Sequence, residues 1–417
     1  MGDHADLMVG FPFKSGQFLE TSDNAIRLLR GDNVGQGSLR WQGAKYWPET
    51  AADRFAVCQL EADDVILAMD RPWIEAGLKY AYVRLSDLPC LLVQRVARMR
   101  GTKTLDTKFL RHVIGSPPFT AHVMSITTGA NIPHISARDI ARFHFGLPPL
   151  DEQRRIASIL GAYDELIEVN RRRIAGLEAM ARGLFEEWFV RFRFPGYENH
   201  KFVETPDGRL PEGWCHQPVF DAFAFLGGGT PSKVEHAYWS DGSVNWFTPS
   251  DLTKSRTLFM DQSELRITTE AVRRSSARIF PPDSVMMTSR ATLGVISINT
   301  SEATTNQGFI TCIPNDIVPR TFLYYWLLRN VPVFVNHATG ATFLEITKGV
   351  FGRLPFLTPP PEIVTRFERL ARPMHDAILT LERSNRSLAA SRDLLLPRLI
   401  SGQLSVAAVG REVEAAA

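Results

Sequence analysis

Cysteine is scarce in this chain. There are four among 417 residues (Cys58, Cys90, Cys215 and Cys312), none in a CxxC pair. That argues against a disulfide framework or a zinc ribbon and fits buried thiols in a reducing cytosol. Charge of one sign is also lacking. Lys and Arg total 47 against 45 Asp and Glu, a net +2, so the overall basic excess usual in nucleic-acid binding is absent. No run of 18 apolar residues occurs, and no membrane span is expected. The opening "MGDHADLMVG" lacks the basic-then-apolar pattern of a secretory signal. There is no GxxxxGK[ST], no HExxH and no spaced His cluster, so neither a Walker nucleotide site nor a metal site is expected. From Leu150 to Phe189 the chain has no proline, although prolines and glycines are common on both sides.

Length and a hydrophobic share of 44% allow two or three domains. Positive charge gathers locally. Arg95, Arg98, Arg100, Lys103, Lys108 and Arg111 face one acid, Asp106, in their stretch. Residues 254–278 hold a second cluster that includes Lys254, Arg256, Arg273 and Arg274. Such runs suit a solvated face as well as a phosphate contact.

The chain repeats itself faintly. "GFPFK" at Gly10 and "GTPSK" at Gly229 match at an offset of 219, as do Asp32 with Asp251 and "DVILAMDR" (Asp64–Arg71) with "DSVMMTSR" (Asp283–Arg290). Further on, "TGANIPHI" (128–135) and "TGATFLEI" (339–346) match at 211, followed by Arg142 with Arg353 and Pro148-Pro149 with Pro359-Pro360. Ordered weak matches imply two similar units, each followed by a helix. Short apolar runs bounded by Asp, Gly and Pro, such as "VILAM", "SVMMT" and "GVISI", read as strands, and "RTFLYYWLLR" (Arg320–Arg329) as a short buried helix. The fold class is therefore mixed α/β (α+β). The second unit opens with "LPEGWCHQPVFDAFAFLGG", and the first is expected either to lack part of that segment or to start upstream of Met1.

In the proline-free stretch, Ile156, Leu160, Tyr163, Ile167, Asn170, Ile174, Leu177, Ala181, Leu184 and Trp188 recur at 4-3 spacing, a heptad seam. Acids Asp151 and Glu152 suit its first turn. Shifted by 211, the same phase gives Phe367, Ala371, Met374, Ile378, Leu381, Asn385, Leu388, Arg392, Leu395 and Leu399. Gly161 and Pro373 predict a break at matching places. The uninterrupted second helix is then Met374 to Leu396, roughly 35 Å long. Each seam holds one Asn, and a buried Asn in a seam sets register. Placing Asn170 opposite Asn385 predicts an antiparallel pair with Ile156 against Leu399 and Trp188 against Phe367. A shift of one heptad is the alternative register. The boundaries expected are a first unit 1–149, a helix 150–193, a linker 194–209, a second unit 210–358, a helix 359–402 and a tail 403–417.

Several motifs admit two readings. "SPPF" (Ser116–Phe119) has the polar-Pro-Pro-aromatic form by which amino-methyltransferases hold a flipped base. It also suits a turn between helix and strand, and "GDNVGQG" (Gly31–Gly37) is a weak cofactor loop with no counterpart in the repeat. Lys14 and Lys233 follow turns that offer a phosphate grip or are ordinary loops. Arg71 and Arg290 end matched strands and suit guanine reading or structural ion pairs. Trp41, Trp47, Trp239 and Trp246 suit a core better than base stacking.

"LPPLDEQRRIASILGAYDELIEVNRRRIAGLEAMARGLFEEWFVRF" resembles the central conserved region of the specificity (S) subunit of type I restriction–modification systems. "GTPSK…YW", "NWFTPSDL", "TTNQGFI", "TGAT" and "LLLPRLISGQL" resemble that family's second recognition domain and distal conserved region. The likeness covers nearly the whole chain. It implies two target-recognition domains, pseudo-two-fold related and separated by an antiparallel coiled coil, reading the halves of a bipartite site on double-stranded DNA. It implies a non-catalytic, cytoplasmic subunit that docks two methyltransferase (M) subunits and a restriction (R) subunit. S-adenosylmethionine, ATP and Mg are then expected on those partners and no cofactor on this chain. The rival readings are a self-contained DNA adenine methyltransferase using SPPF and a coiled-coil scaffold without a DNA role.

Overall fold

The computed structural model describes residues 1–127, 133–206, 208–340, 344–400 and 403–404. The chain divides into two compact units, Met1–Ile167 with the segment from Ser387 onward, and Glu168–Arg386. The division cuts through the two long helices, so each helix contributes a part to each unit.

In the first unit the principal strands are β1 (Ala5–Val9), β2 (Ala25–Leu29), β3 (Lys45–Pro48), β4 (Val65–Ala68), β5 (Tyr80–Tyr82), β6 (Cys90–Leu92) and β7 (Val96–Gly101). An antiparallel sheet has the order β1-β7-β4-β5. A smaller sheet has the order β3-β2-β6, with β2 and β6 parallel. In the second unit the strands are β8 (Ala224–Gly227), β9 (Val244–Phe247), β10 (Phe259–Met260), β11 (Leu265–Ile267), β12 (Val285–Thr288), β13 (Ile296–Asn299), β14 (Ala303–Thr305) and β15 (Phe309–Ile313). Their sheets run β8-β15-β12-β13-β10 and β11-β9-β14, with β9 and β14 parallel. The second unit thus repeats the first strand for strand and adds β10 at one edge. A short ribbon, Cys215–Pro218 paired with Pro355–Thr358, precedes β8.

The apolar runs are continuous because the central strands are buried on both faces. Val65 and Leu67 of β4 enter one core while Ile66 and Ala68 enter another. On β12, Val285 and Met287 face one core and Met286 the other.

The main helices are α1 (Thr107–Ile114), α2 (Pro117–Thr127), α3 (Ala137–Ala141), α4 (Leu150–Phe185), α5 (Arg320–Asn336), α6 (Lys348–Arg353) and α7 (Pro361–Ile400). Asp106, Ser136 and Thr347 cap α1, α3 and α6 through side-chain oxygens that accept backbone N–H groups. The "RTFLYYWLLR" helix is longer than expected. It continues through the exposed Pro332 to Asn336, with Phe334 of the last turn fully buried.

The repeat runs in a different register from the one its sequence matches suggest. Asn33 accepts the Arg30 N–H as Asp251 accepts the Thr248 N–H, so the true offset there is 218 and Asp251 corresponds to Asn33, not Asp32. At β4 and β12 the offset is 220. Asp63 and Asp283 both have positive φ (71° and 66°), as do Arg71 and Ala291 (45° and 60°). Arg71 N–H donates to Pro133 at 2.7 Å and Ala291 N–H to Leu344 at 3.1 Å. Arg71 therefore corresponds to Ala291, and the expected match with Arg290 is corrected. A slip of one residue turns a strand's side chains to the opposite face, so buried pairing decides the register and letter identity does not. The TGAN/TGAT match lies largely outside the described residues. In its described part, Ile135 N–H donates to Met69 and Ile346 N–H to Ser289, each at 2.9 Å, consistent with 211. Gly10 and Gly228 are the structural pair in the opening turns. A Cβ on either would collide with two carbonyls of the facing strand end, Leu92 and Val93 or Thr305 and Asn306.

The predicted break in the long helices is absent. α4 is continuous through Gly161, and α7 runs 40 residues through Pro373 and Pro397. Each proline removes one N–H and costs a few kcal/mol. Both sit on the exposed side of α7, while Ala371, Ile378 and Leu399 on the seam side are fully buried. Burial on that face carries the helix past the defects. After Phe185, α4 widens into a π turn over Glu186–Val190, with the Arg191 N–H on the Glu186 carbonyl at 2.9 Å.

All the expected seam residues are buried or half-buried. Within the second unit Asn170 Nδ2 donates to Asn385 Oδ1 at 3.0 Å, and Trp188 meets Phe367 with ring centroids 6.2 Å apart. Ile174, Leu177, Leu184, Met374 and Ile378 pack into the same core. Within the first unit Ile156, Leu160, Leu395 and Leu399 share a core, and Asp164 accepts from Arg392 at 2.6 Å. Tyr163, Ile167, Leu381 and Leu388 complete the two seams. In each unit the helix halves run antiparallel in one common register.

Candidate nucleic-acid interface

In the first unit the end of β2, the loop after β4 and the loop between β6 and β7 border an open cleft of about 800 Å³. Phe13 and Phe18 form apolar lining, and Arg30, Asp32, Arg40, Asp70, Arg71, Lys79, Gln94 and Arg95 provide polar atoms. Most of these are already engaged. Arg30 pairs with Asp32 at 3.0 Å, Arg40 donates to Gln36 at 2.9 Å, and Arg95 pairs with Asp70 at 2.7 Å. Burial works against the Asp70 carboxylate, yet hydrogen bonds from Arg95 and His134 hold its pKa below the ordinary value. Burial pushes the Lys79 ammonium down, and the nearby guanidiniums of Arg40 and Arg71 oppose its charge while Asp32 and Asp70 favour it. Arg71 is exposed. Among the described residues neither Arg71 nor Lys79 has a hydrogen bond or an ion pair through its side chain.

The second unit has a differently furnished face. Thr230 donates to Gln307 at 2.6 Å, and Lys233 stands exposed nearby in the same opening turn. Lys254 pairs with Glu264 at 3.3 Å and Arg274 with Glu270 at 2.8 Å, while Arg256 holds a left-handed C-cap and Arg273 is exposed. Arg290 is exposed where its backbone bridges Glu345.

The other cations separate into two groups. Lys14, Lys103 and Lys108 are exposed, with Lys108 3.7 Å from Asp63. Arg98 and Arg100 are not available to a partner, which corrects their reading as contacts. Arg98 is 6% exposed and pairs with Asp6 at 2.8 Å. Arg100 grips Asp64 with two nitrogens and Glu61 at 2.9 Å. Both lie on β7, whose neighbours bring acids to them. Sequence reasoning missed Arg30, Arg40 and Lys79, since none recurs at a repeat-matched position. The signal closest to the cleft was Gln94, matched by Gln307 at an offset of 213. Trp47 and Trp246 are buried, and Trp41 and Trp239 are half-buried with their indole N–H groups on Asp87 and the Ser232 carbonyl.

SPPF is not a base-flipping turn. Its proline pair opens α2, so it lies between two helices, not helix and strand. The Ser116 hydroxyl donates to the Val113 carbonyl at 2.7 Å, and Phe119 is fully buried edge-on to Phe143. No ring face is left for a base.

Comparison with known proteins agrees with the repeated architecture. The family model for the type I restriction modification DNA specificity domain matches residues 44–179 and 211–380. The MjaIX specificity subunit of Methanocaldococcus jannaschii is 33% identical over 177 residues, 42% of this chain and 40% of that protein. The EcoAI specificity subunit of Escherichia coli is 36% identical over 171 residues, 40% of this chain and 28% of that protein. The chain thus spans less than half the length of these two relatives. The HindI specificity subunit of Haemophilus influenzae is 23% identical over 65% of this chain and 71% of its own length. The crystal structure of an S subunit from M. genitalium shares the fold, with TM-score 0.55 at 13% identity over 96% of this chain and 94% of that one. On these matches, the chain belongs to the family of type I restriction–modification specificity subunits.

Proposed function

We propose that each unit reads one half of a gapped site on double-stranded DNA, and that the helical pair α4/α7 sets the unread gap between the halves. The observation that carries this reading is the strand-for-strand repeat of the two units, each built onto its own half of the same two helices. Two similar units suit two half-sites, because helical phase decides which face of the duplex each unit meets. Lys14, Arg71, Lys103, Lys108, Lys233, Lys254, Arg256, Arg273, Arg274 and Arg290 are the proposed contacts. The near-neutral net charge fits a subunit whose partners supply much of the backbone grip. Both helices leave large apolar side chains exposed outside the seam, Leu166 and Met180 on α4 and Leu370 and Leu394 on α7. These suit docking of two methyltransferase subunits and a restriction subunit. S-adenosylmethionine, ATP and Mg then reside on those partners, and the complex is cytoplasmic. Among the described residues no helix is long and apolar enough to cross a membrane. Sequencing methylated bases in the host tests the reading. A single gapped motif that vanishes on deletion of the gene is expected, and an ungapped or unchanged motif refutes it.

A further inference from the structure

We propose that Arg71, with Lys79 beside it, reads the acceptor edge of a guanine in the half-site taken by the first unit, and that the second unit has no equivalent reader at this place. The inference rests on the recognition reading above and assigns a specificity-determining residue within it.

The other cations of the cleft are spent on neighbours, as described, whereas the side chains of Arg71 and Lys79 are unpaired among the described residues. A cation held by no neighbour at the border of an open cleft has only water to give up when an outside acceptor arrives. The cleft's mixed charge selects among acceptors. A phosphate would have to approach the carboxylates of Asp32, 81% exposed, and Asp70. A G·C pair instead shows two acceptors, N7 and O6, beside the N4 amino donor of cytosine. Arg71 and Lys79 answer the first two and Asp32 the third. Duplex edges therefore fit this lining better than backbone.

The backbone frame holds Arg71 at its post. Its φ is +45°, a conformation that non-glycine residues rarely adopt, and its N–H is tied to Pro133. The second unit keeps the same frame with Ala291 at φ +60°. Ala68 N–H donates to Lys79 at 3.0 Å as Thr288 N–H donates to Val295 at 2.9 Å, so Lys79 corresponds to Val295. The fold thus uses both positions with a methyl or isopropyl side chain, and the two cations of the first unit are not needed to build it. The second unit must obtain its specificity from other side chains.

The test uses the full chain assembled with its methyltransferase subunits. Wild-type, Arg71→Ala and Lys79→Gln complexes are compared for their methylated motif and their affinity for duplexes bearing it. For Arg71→Ala, discrimination at one G·C pair of one half-site falls roughly 10- to 100-fold, and the other half-site is unchanged. Replacing that guanine by 7-deazaguanine, which lacks N7, weakens the wild type and leaves Arg71→Ala unaffected. Lys79→Gln gives a smaller loss at the same pair. A uniform loss on every sequence, with a shallower salt dependence, makes Arg71 a phosphate contact and overturns the inference. An unchanged motif and affinity overturn it as well. A wild-type complex without a gapped motif refutes the recognition reading itself, an outcome distinct from the other two.

Discussion

Asp164 on α4 and His375 on α7 occupy the same place in the two halves of the repeat, and their surroundings have been rebuilt to suit each. Asp164 accepts from Arg111 at 3.0 Å and from Arg392 at 2.6 Å, with His112 Nδ1 4.0 Å away. Arg111 also lies over the Tyr82 ring at 4.1 Å. At the matching positions of α5 stand Tyr324 and Tyr325. His375 Nε2 is 3.1 Å from the Tyr325 hydroxyl, and the Tyr324 ring stands edge-on at 5.4 Å. One unit thus holds a charged cluster where the other holds a neutral aromatic one. The backbone geometry is common to both, and either chemistry is stable only as a complete set. A half-buried carboxylate leans on its guanidiniums, and a buried imidazole must stay neutral.

The largest test of this comparison is Asp164→Ala, which leaves Arg111 and Arg392 without their shared anion. A cost of about 2–3 kcal/mol in the first unit is expected, because the cluster is half-buried and Arg392 keeps Asp393. Calorimetry of the full chain should show that unit's transition lowered and the other unmoved. Equal movement of both would mean that the node does not belong to one unit.

Next is the seam. Asn170→Leu leaves Asn385 without its partner and costs about 2 kcal/mol. Adding Asn385→Leu returns most of that, because two apolar residues then face one another, while register is no longer enforced. Denaturant midpoints of the single and double variants decide this, and a double variant weaker than the single would show that the pair itself stabilises.

The smallest effect is with pH. Burial, opposed further by Arg111, pushes His112 down to about 3, and burial with Arg320 and Arg372 pushes His375 down to about 3. Each favours folding fully above the unfolded value near 6.5 and loses that contribution as pH falls towards 3. The loss is about 1.4 kcal/mol per pH unit. In the second unit Glu382 works in the opposite direction. Burial raises it to about 7 even though its carboxylate accepts from the Leu258 and Phe259 N–H groups. Its contribution is present below the unfolded value near 4.5 and is lost as pH rises towards 7. Acidification from pH 6.5 to 5.5 should therefore weaken the first unit and leave the second flat or firmer, since burial also raises the carboxyls of Glu178 and Glu368 there. Glu382→Gln should expose the hidden histidine slope in the second unit, and a melting curve unaffected by that substitution would rule out the compensation.

The readable parts of this molecule are those governed by period. Apolar residues at 4-3 spacing lead directly to the α4/α7 seam, and one Asn per seam leads to its register, because an unpaired buried amide is costly wherever it falls. Apolar runs between Asp, Gly and Pro lead to the central strands. The parts that mislead are those governed by a neighbour in space. Pro373 looked like a break because local propensity counts the lost N–H and not the buried face beside it. Arg98 and Arg100 looked like solvent-facing cations because the acids that claim them, Asp6, Glu61 and Asp64, arrive through strand pairing or through the turn before β4.

The sequence by itself therefore determined that there are two similar units, that each is followed by a long helix, and how those helices meet, since all three follow from repetition and periodicity along the chain. The tertiary structure alone decided the true register of the repeat, the equivalence of Arg71 with Ala291, and which cations remain unpaired. Those outcomes depend on which backbone groups and carboxylates lie opposite across a sheet or cleft, and linear spacing does not carry that information.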